Sequence, residues 1–259
     1  MFEATLHEAA ILKKVIDAIK DLVTDVNIDA TPQGISLQAM DSSHVALVSL
    51  NLGAAGFQSY RADRPMTLGL SVTNLAKVLK LASYEDKITL RAEEEGQHLS
   101  ISFENRRQEK KTDFQLNLIS LDSEHLGIPE TTYTSEITMN ALDFQKLCKE
   151  LHQLSETVQI TASLTAIRFA VDGEVGSGQV SISTNAAESS GATQTQTQQK
   201  DESVNLSFAL RYLNMFNKAS CLCNNVRMML AADTPLVVEY EIESLGSLKY
   251  YLAPKISDE

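Results

Sequence analysis

An internal repeat is the feature that most constrains the fold of this 259-residue chain. When the sequence is shifted by 132 residues, apolar and basic positions of the first half fall on similar positions of the second half. A shift of 138 residues continues the match further along both halves. The clearest pairs are Leu12 with Phe144, Lys14 with Lys146, Val26 with Val158, Ile35 with Ile167, Leu75 with Leu213, Lys80 with Lys218 and Ile88 with Val226. This pattern predicts a duplicated unit.

Two kinds of hydrophobic periodicity alternate within each half. Apolar residues recur with the period of a helix in four segments, and most of the remaining chain alternates with the period of a strand. The helical segments are 7–20, 72–82, 141–155 and 208–220. Strands are clearest at 88–92, 99–103, 114–118, 158–162, 167–171, 204–208 and 226–230. Short strands with hairpin-length connections favour antiparallel sheets, so we predict an α+β fold with two helices in each half.

The repeat also predicts the domain organisation. We expect an N-terminal domain at 1–117, a connector at 118–134 and a C-terminal domain at 135–259. The stretch 188–203 contains no apolar residue larger than alanine. Such a stretch cannot bury apolar surface, so we expect a loop there without a site of its own.

Composition excludes several classes of protein. Apolar residues make up 43% of the chain, which is typical of a soluble globular protein. The apolar runs are far shorter than the ~20 residues of a membrane helix, and Glu3 and Glu8 stand where a secretory signal would carry positive charge. Three cysteines without such a signal indicate a reducing, intracellular compartment.

The charges are distributed unevenly, although a net charge of −12 argues at first against a nucleic-acid partner. The four helical segments have nine basic and four acidic residues, whereas the rest of the chain has 13 basic and 30 acidic residues. Helical geometry places Lys77 and Lys80 opposite Leu75 and Leu79. We therefore predict helices that pack an apolar stripe on a sheet and expose a basic face. Ordinary solvated lysines remain the alternative. The nine basic residues are Lys13, Lys14, Lys20, Lys77, Lys80, Lys146, Lys149, Arg211 and Lys218.

No arrangement of catalytic residues is recognisable in the sequence. The five histidines are dispersed, and none has the i, i+4 spacing of a helical zinc site. Cys221 and Cys223 are too close in sequence for the usual zinc-knuckle pattern, and 176–178 lacks the features of a phosphate-binding loop. We expect no cofactor and no bound metal. An enzyme on a duplicated α+β scaffold is the alternative that these observations favour least.

Six segments together resemble the proliferating cell nuclear antigen family of eukaryotic DNA sliding clamps. They are MFEATLHEAAILKKVIDAIKDLV at 1–23, QAMDSSHVALVSL at 38–50, YRADRPMTLG at 60–69, LGIPE at 126–130, DGEVGSGQVSI at 172–182 and KYYLAPKISDE at 249–259. The resemblance covers the chain from end to end. It implies two similar clamp domains, joined by a long connector, in a homotrimeric ring closed around duplex DNA.

The resemblance also implies which residues meet DNA. The nine basic helix residues would face the phosphates without base readout, as sliding requires. The stretch 61–80, which this family uses for DNA, adds Arg61 and Arg64, although both lie outside the helix. The acidic remainder of the chain would form the outer surface.

A partner-binding pocket is the next implication of the resemblance. In this family a groove beneath the connector accepts the motif Q-x-x-aliphatic-x-x-aromatic-aromatic. The matching residues are Met40, His44, Val45, Leu47, Leu126, Ile128, Pro129, Pro235, Tyr251, Leu252, Ala253 and Pro254. The implied partners are DNA polymerases, the clamp loader, flap endonuclease, DNA ligase and other proteins with the motif, and the implied location is the nucleus.

Ring closure in the family pairs an edge strand of one subunit with an edge strand of the next. The matching residues are Lys110, Phe114 and Leu116 in the first half and Gly178 and Val180 in the second. A subunit of a related heterotrimeric, checkpoint-type clamp remains the alternative.

The chain departs from the family at one modification site. The family's ubiquitin acceptor is a lysine, and Leu164 occupies the matching position, with no lysine between Lys149 and Lys200. Isopeptide formation is chemically impossible at leucine, so we expect any such modification to fall on other lysines.

Overall fold

The computed structural model describes residues 1–107, 109–122, 127, 131–163, 166–183, 194–197 (backbone only) and 203–256. Contacts between Cα atoms divide the chain into two compact units. The first unit contains Met1–Ser42, Val48–Gly127 and Ile242–Leu248, and the second contains Ser43–Leu47, Ile128–Glu241 and Lys249–Glu259. Each half of the chain therefore supplies most of one unit.

The same order of elements occurs twice along the chain: a strand, a helix, five strands, a helix and three strands. The first series is β1 (Phe2–Leu6), α1 (Ala9–Ile19), β2 (Asp25–Thr31), β3 (Gly34–Met40), β4 (Ala46–Gly53), β5 (Ser59–Ala62), β6 (Met66–Ser71), α2 (Val72–Leu79), β7 (Lys87–Ala92), β8 (His98–Glu104) and β9 (Lys111–Asn117). The second series is β10 (Ser135–Asn140), α3 (Ala141–His152), β11 (Thr157–Ala162), β12 (Ala166–Gly173), β13 (Gly176–Ser183), β14 (Gln194–Thr197), β15 (Val204–Ala209), α4 (Leu210–Phe216), β16 (Asn225–Leu230), β17 (Leu236–Ile242) and β18 (Gly246–Leu252). Short 3₁₀ helices follow β4 at Ala54–Gly56 and α4 at Asn217–Cys221.

The sheets repeat as well as the elements. The order β5-β1-β7-β8-β9 in the first series has its counterpart in β14-β10-β16-β17-β18, and β4-β3-β2-β6 has its counterpart in β13-β12-β11-β15. Neighbouring strands run antiparallel, as in the pairs β1 with β7 and β11 with β12. The predicted duplication of an α+β unit with antiparallel sheets and four helices is confirmed.

The structure differs from the sequence-based expectation at helix ends and in one loop. The helices expected at 7–20, 72–82 and 141–155 are shorter, at Ala9–Ile19, Val72–Leu79 and Ala141–His152. The fourth helix begins at Leu210 because β15 extends to Ala209, and the segment after Phe216 tightens into a 3₁₀ helix. The expectation of a loop throughout 188–203 is wrong, because 194–197 forms β14 and pairs with β10. Strand pairing uses backbone N–H and C=O groups, so a stretch without apolar side chains can still join a sheet edge.

The helices owe their positions to one apolar face each. In α1 this face consists of Leu12, Val15, Ile16 and Ile19, all of which are buried. The α3 helix is capped at its N-terminus by Asn140, whose Oδ1 accepts hydrogen bonds from the backbone N–H groups of Leu142 and Asp143. No helix within the described residues is long and apolar enough to span a membrane.

The second unit contains a buried carboxylate held between two cations. Glu239 of β17 accepts hydrogen bonds from Nη2 and Nε of Arg227 on β16, at 2.6 and 2.9 Å. Nζ of Lys249 on β18 lies 3.2 Å from the other oxygen of the same carboxylate. Because Glu239 is buried, these two partners offset the cost of removing its carboxylate from water.

Candidate nucleic-acid interface

Each unit exposes a surface formed by two adjacent helices. In the first unit α1 packs against α2, and in the second unit α3 packs against α4. The apolar side of each helix is buried, and its basic residues lie on the exposed or half-exposed side. The structure therefore confirms the predicted orientation of the helices. The first unit brings together Lys13, Lys14, Lys20, Lys77 and Lys80, and the second brings together Lys146, Lys149, Arg211 and Lys218.

Partners of the basic residues differ within the first unit. Nζ of Lys13 donates a hydrogen bond of 2.6 Å to the carbonyl of Ala82 and lies 4.6 Å from the centre of the Tyr84 ring. Nζ of Lys20 lies 2.6 Å from Oδ1 of Asp17. Nζ of Lys77 makes a long contact of 3.5 Å with Oδ1 of Asn74. The ammonium of Lys13 is thus engaged within the helix pair, whereas Lys77 extends from it.

The basic residues on the helices of the second unit have different neighbours. Lys146 lies 3.8 Å from Glu150, one turn further along α3. The guanidinium of Arg211 lies over the ring of Tyr212, at 4.8 Å from the ring centre. Lys149 and Lys218 are exposed. Exposed cations of this kind interact with phosphates through screened, non-directional attraction.

Arg61 and Arg64 do not join the helix surface. Arg61 lies in β5, where its guanidinium donates two hydrogen bonds, of 2.7 and 3.1 Å, to the carboxylate of Asp63. These hydrogen bonds lower the pKa of Asp63 below its usual value. Arg64 lies 3.1 Å from Glu94. Both arginines are exposed and paired with acids in this structure, and their contact with DNA stays a prediction.

The expected partner pocket is distributed over surface and core. In the second unit the backbone N–H of Ala253 donates to the carbonyl of Val45 at 3.0 Å, so the segments that carry these residues are adjacent. Leu47 and Leu252 are buried and pack in the core. The more accessible members are His44, Val45, Pro235, Tyr251, Ala253 and Pro254, and burial raises the pKa of Tyr251. Met40 belongs to the first unit, and Leu126, Ile128 and Pro129 lie outside the described residues, as does Leu164.

The residues expected at the subunit interface lie on or beside two edge strands. Strand β9 ends one strand order and β13 ends another, so each has one strand neighbour within the part of the chain that the structure describes. Lys110 precedes β9, Phe114 packs against Phe103, and Leu116 is buried. Gly178 and Val180 lie in β13, where Val180 is 38% exposed. An unpaired edge is a template for pairing with another strand.

Sequence reasoning missed two residues of the helix surface. Tyr84 is 61% exposed beside the ammonium of Lys13, and Gln145 of α3 contacts the end of α4. An aromatic residue just after a basic helix could have drawn attention to Tyr84. Gln145 could have been found from the repeat, because it occupies the same position as Lys13.

Two family models of known proteins together match nearly the whole chain. The family model described as proliferating cell nuclear antigen, N-terminal domain, matches residues 1–125. The family model described as proliferating cell nuclear antigen, C-terminal domain, matches residues 127–255. Within the described ranges, no group of three or more His, Cys, Asp or Glu residues could hold a metal ion.

Proposed function

Because this chain belongs to the proliferating cell nuclear antigen family of DNA sliding clamps, we propose that it is a processivity factor in the nucleus. In this proposal three copies form a ring around duplex DNA, and the ring tethers replicative polymerases and repair enzymes without catalysing a reaction itself. The domain boundaries expected at 117 and 134 are part of the same proposal.

One observation carries this proposal: basic residues of an acidic chain are concentrated on the exposed face of a helix pair that occurs twice. Phosphate binding without base readout needs cations that are numerous, exposed and loosely held. Lys77, Lys80, Lys149 and Lys218 are exposed, and Lys14 is half-exposed. A net charge of −12 means that the remaining surface repels DNA, which favours binding at the helices alone.

Ring formation is supported by the two edge strands. Strands β9 and β13 are different edges of one chain. Pairing of β9 in one copy with β13 in the next is therefore heterologous and can repeat from copy to copy. Closure after three copies would leave no open edge of this kind. The expected contact residues are Phe114 and Val180.

The first experiment measures the mass of the purified chain by size-exclusion chromatography with light scattering. We expect three chains of 28.4 kDa each. A stable monomer that trimerises only with two different clamp chains would instead identify a subunit of a heterotrimeric, checkpoint-type clamp.

The second experiment tests the helix surface. The double variant Lys80→Glu, Lys218→Glu should remain trimeric but lose stimulation of a polymerase on a primed circular template. Arg168→Glu reverses an exposed charge on strand β12 and serves as the control. Undiminished stimulation by the double variant would show that the helices do not face DNA.

A further inference from the structure

Each unit contains a side-chain contact between its two helices, and both contacts come from equivalent positions of the repeat. In the first unit Nζ of Lys13 on α1 donates to the carbonyl of Ala82, just beyond α2, at 2.6 Å. In the second unit Nε2 of Gln145 on α3 donates to the carbonyl of Asn217 at 2.9 Å and to Oγ of Ser220 at 3.0 Å. The 132-residue shift places position 13 on 145, and the 138-residue shift places 82 on 220.

The acceptors lie at or just beyond the C-terminal end of the second helix of each unit: Asn217 caps α4, Ser220 lies in the 3₁₀ helix that follows, and Ala82 lies three residues beyond α2. The last carbonyls of a helix have no partner within the helix. Both second helices end in a tightened turn, with hydrogen bonds from Ala82 N to Leu79 O at 3.2 Å and from Leu222 N to Ala219 O at 2.9 Å. The side chain at position 13 or 145 donates to a group in this turn, and a cation is additionally favoured at a helix C-terminus.

The two halves share this contact between helices but not the charge of the side chain that makes it. Lys13 is a cation and Gln145 is neutral, yet both reach the end of the neighbouring helix. By contrast, the positions of Lys14 and Lys80 carry a lysine in both halves of the chain. The ammonium of Lys13 is held further by the ring of Tyr84, at 4.6 Å.

We propose that Lys13 and Gln145 are positioning residues that hold the two helices of each unit at a fixed spacing, and that Lys13 makes no contact with DNA. The proposal rests on the proposed function, since the surface whose geometry these residues maintain is the surface assigned to DNA. It separates Lys13 from Lys14, its neighbour in sequence, which keeps the assignment to phosphates.

The first test is an exchange between the repeats, measured by thermal unfolding. Lys13→Gln and Gln145→Lys each install the residue that the other half uses, and both should unfold within about 1 °C of the wild type. Lys13→Met and Gln145→Met introduce a long, unbranched side chain that cannot donate a hydrogen bond. Each should lower the unfolding midpoint by about 3 °C. Unchanged midpoints in both methionine variants would overturn the proposal.

The second test measures binding to duplex DNA across a range of salt concentrations. The slope of log K against log salt is negative, and each lost phosphate contact makes it less steep by about 0.9. Lys14→Gln should therefore make the slope less steep, whereas Lys13→Gln should leave it unchanged. Lys13→Met should weaken binding by the same factor at every salt concentration, because the helix spacing changes while the number of contacts does not.

The two tests separate failure of this inference from failure of the proposed function. If Lys13→Gln reduces the steepness of the salt dependence as much as Lys14→Gln does, Lys13 contacts DNA and the inference is overturned. If neither Lys14→Gln nor Lys80→Gln alters the slope, the assignment of the helix surface to DNA fails, and with it the part of the inference that concerns DNA. The unfolding midpoints then still show whether the side chain at position 13 stabilises the packing of α1 against α2.

Discussion

The valine at position 180 allows the proposed ring closure to be tested quantitatively. Its side chain is 38% exposed on edge strand β13, and pairing with β9 of a neighbouring copy would cover it. Full burial of a valine side chain contributes about 1.5–3 kcal/mol, so covering this fraction stabilises one interface by about 0.6–1.1 kcal/mol. Since 1.4 kcal/mol corresponds to a factor of ten, Val180→Ser should raise the dissociation constant of an interface about 3- to 7-fold.

A charged residue at the same position should have a larger effect. Lysine on an edge strand is a common protection against strand pairing, so Val180→Lys should be monomeric at concentrations where the wild type is trimeric. Sedimentation velocity over a dilution series measures both variants. Ile119→Ser is the matched control, because Ile119 is also 38% exposed but its backbone N–H is bonded to Gly69 of strand β6.

Two outcomes would refute the reasoning about this edge. One is a Val180→Lys protein that keeps the trimer mass throughout the dilution series. The other is an Ile119→Ser protein that dissociates as readily as Val180→Ser, since the effect would then follow the loss of exposed apolar surface anywhere on the chain.

Three further predictions concern other residues. Tyr251→Ala should weaken binding of a peptide with the clamp-binding motif by at least about tenfold in isothermal titration calorimetry, because an aromatic side chain that a bound partner covers is a typical hot spot; unchanged affinity would remove Tyr251 from the pocket. Burial raises the pKa of the Cys148 thiol to about 12, so at pH 8 roughly one thiol in 10,000 is ionised, and mass spectrometry of the native protein should find a thiol reagent on exposed Cys221 and not on Cys148. Labelling of both at equal rates would contradict this burial. With the family's ubiquitin ligase pair, peptide mapping should find no conjugate around Leu164 and any conjugate on other lysines, because no lysine lies between Lys149 and Lys200; a conjugate within that stretch would contradict the prediction.

The repeated architecture could be predicted because it depends on patterns within the chain. Periodicity of apolar residues determines which face of a helix or strand is buried, and Lys77 and Lys80 accordingly lie opposite the buried Leu75 and Leu79. The pairing of β14 with β10 could not be predicted in this way. It depends on backbone groups that every residue possesses, and no side-chain pattern marks it.

The candidate site was predictable in its composition but not in its contacts. The sequence places Lys13 and Lys14 side by side, and only the structure shows that Lys13 reaches Ala82. The pairing of Arg64 with Glu94 joins residues 30 positions apart. Burial of Leu252, expected in the partner pocket, follows from how the strands pack and not from its neighbours in sequence. Contacts between distant segments require the fold itself.

The buried carboxylate of Glu239 has a consequence for how the chain avoids misfolding. Strand β17 is buried at every position except Glu241, so it lacks the alternation of polar and apolar residues by which a half-exposed strand finds its register. A slip of one residue would turn Glu239 to the opposite face, away from Arg227 and Lys249. A carboxylate buried without its partners costs about 3–5 kcal/mol, enough to make the slipped pairing a rare species during folding. The ion pairs of Glu239 thus select the native register of a strand that is buried along almost its whole length.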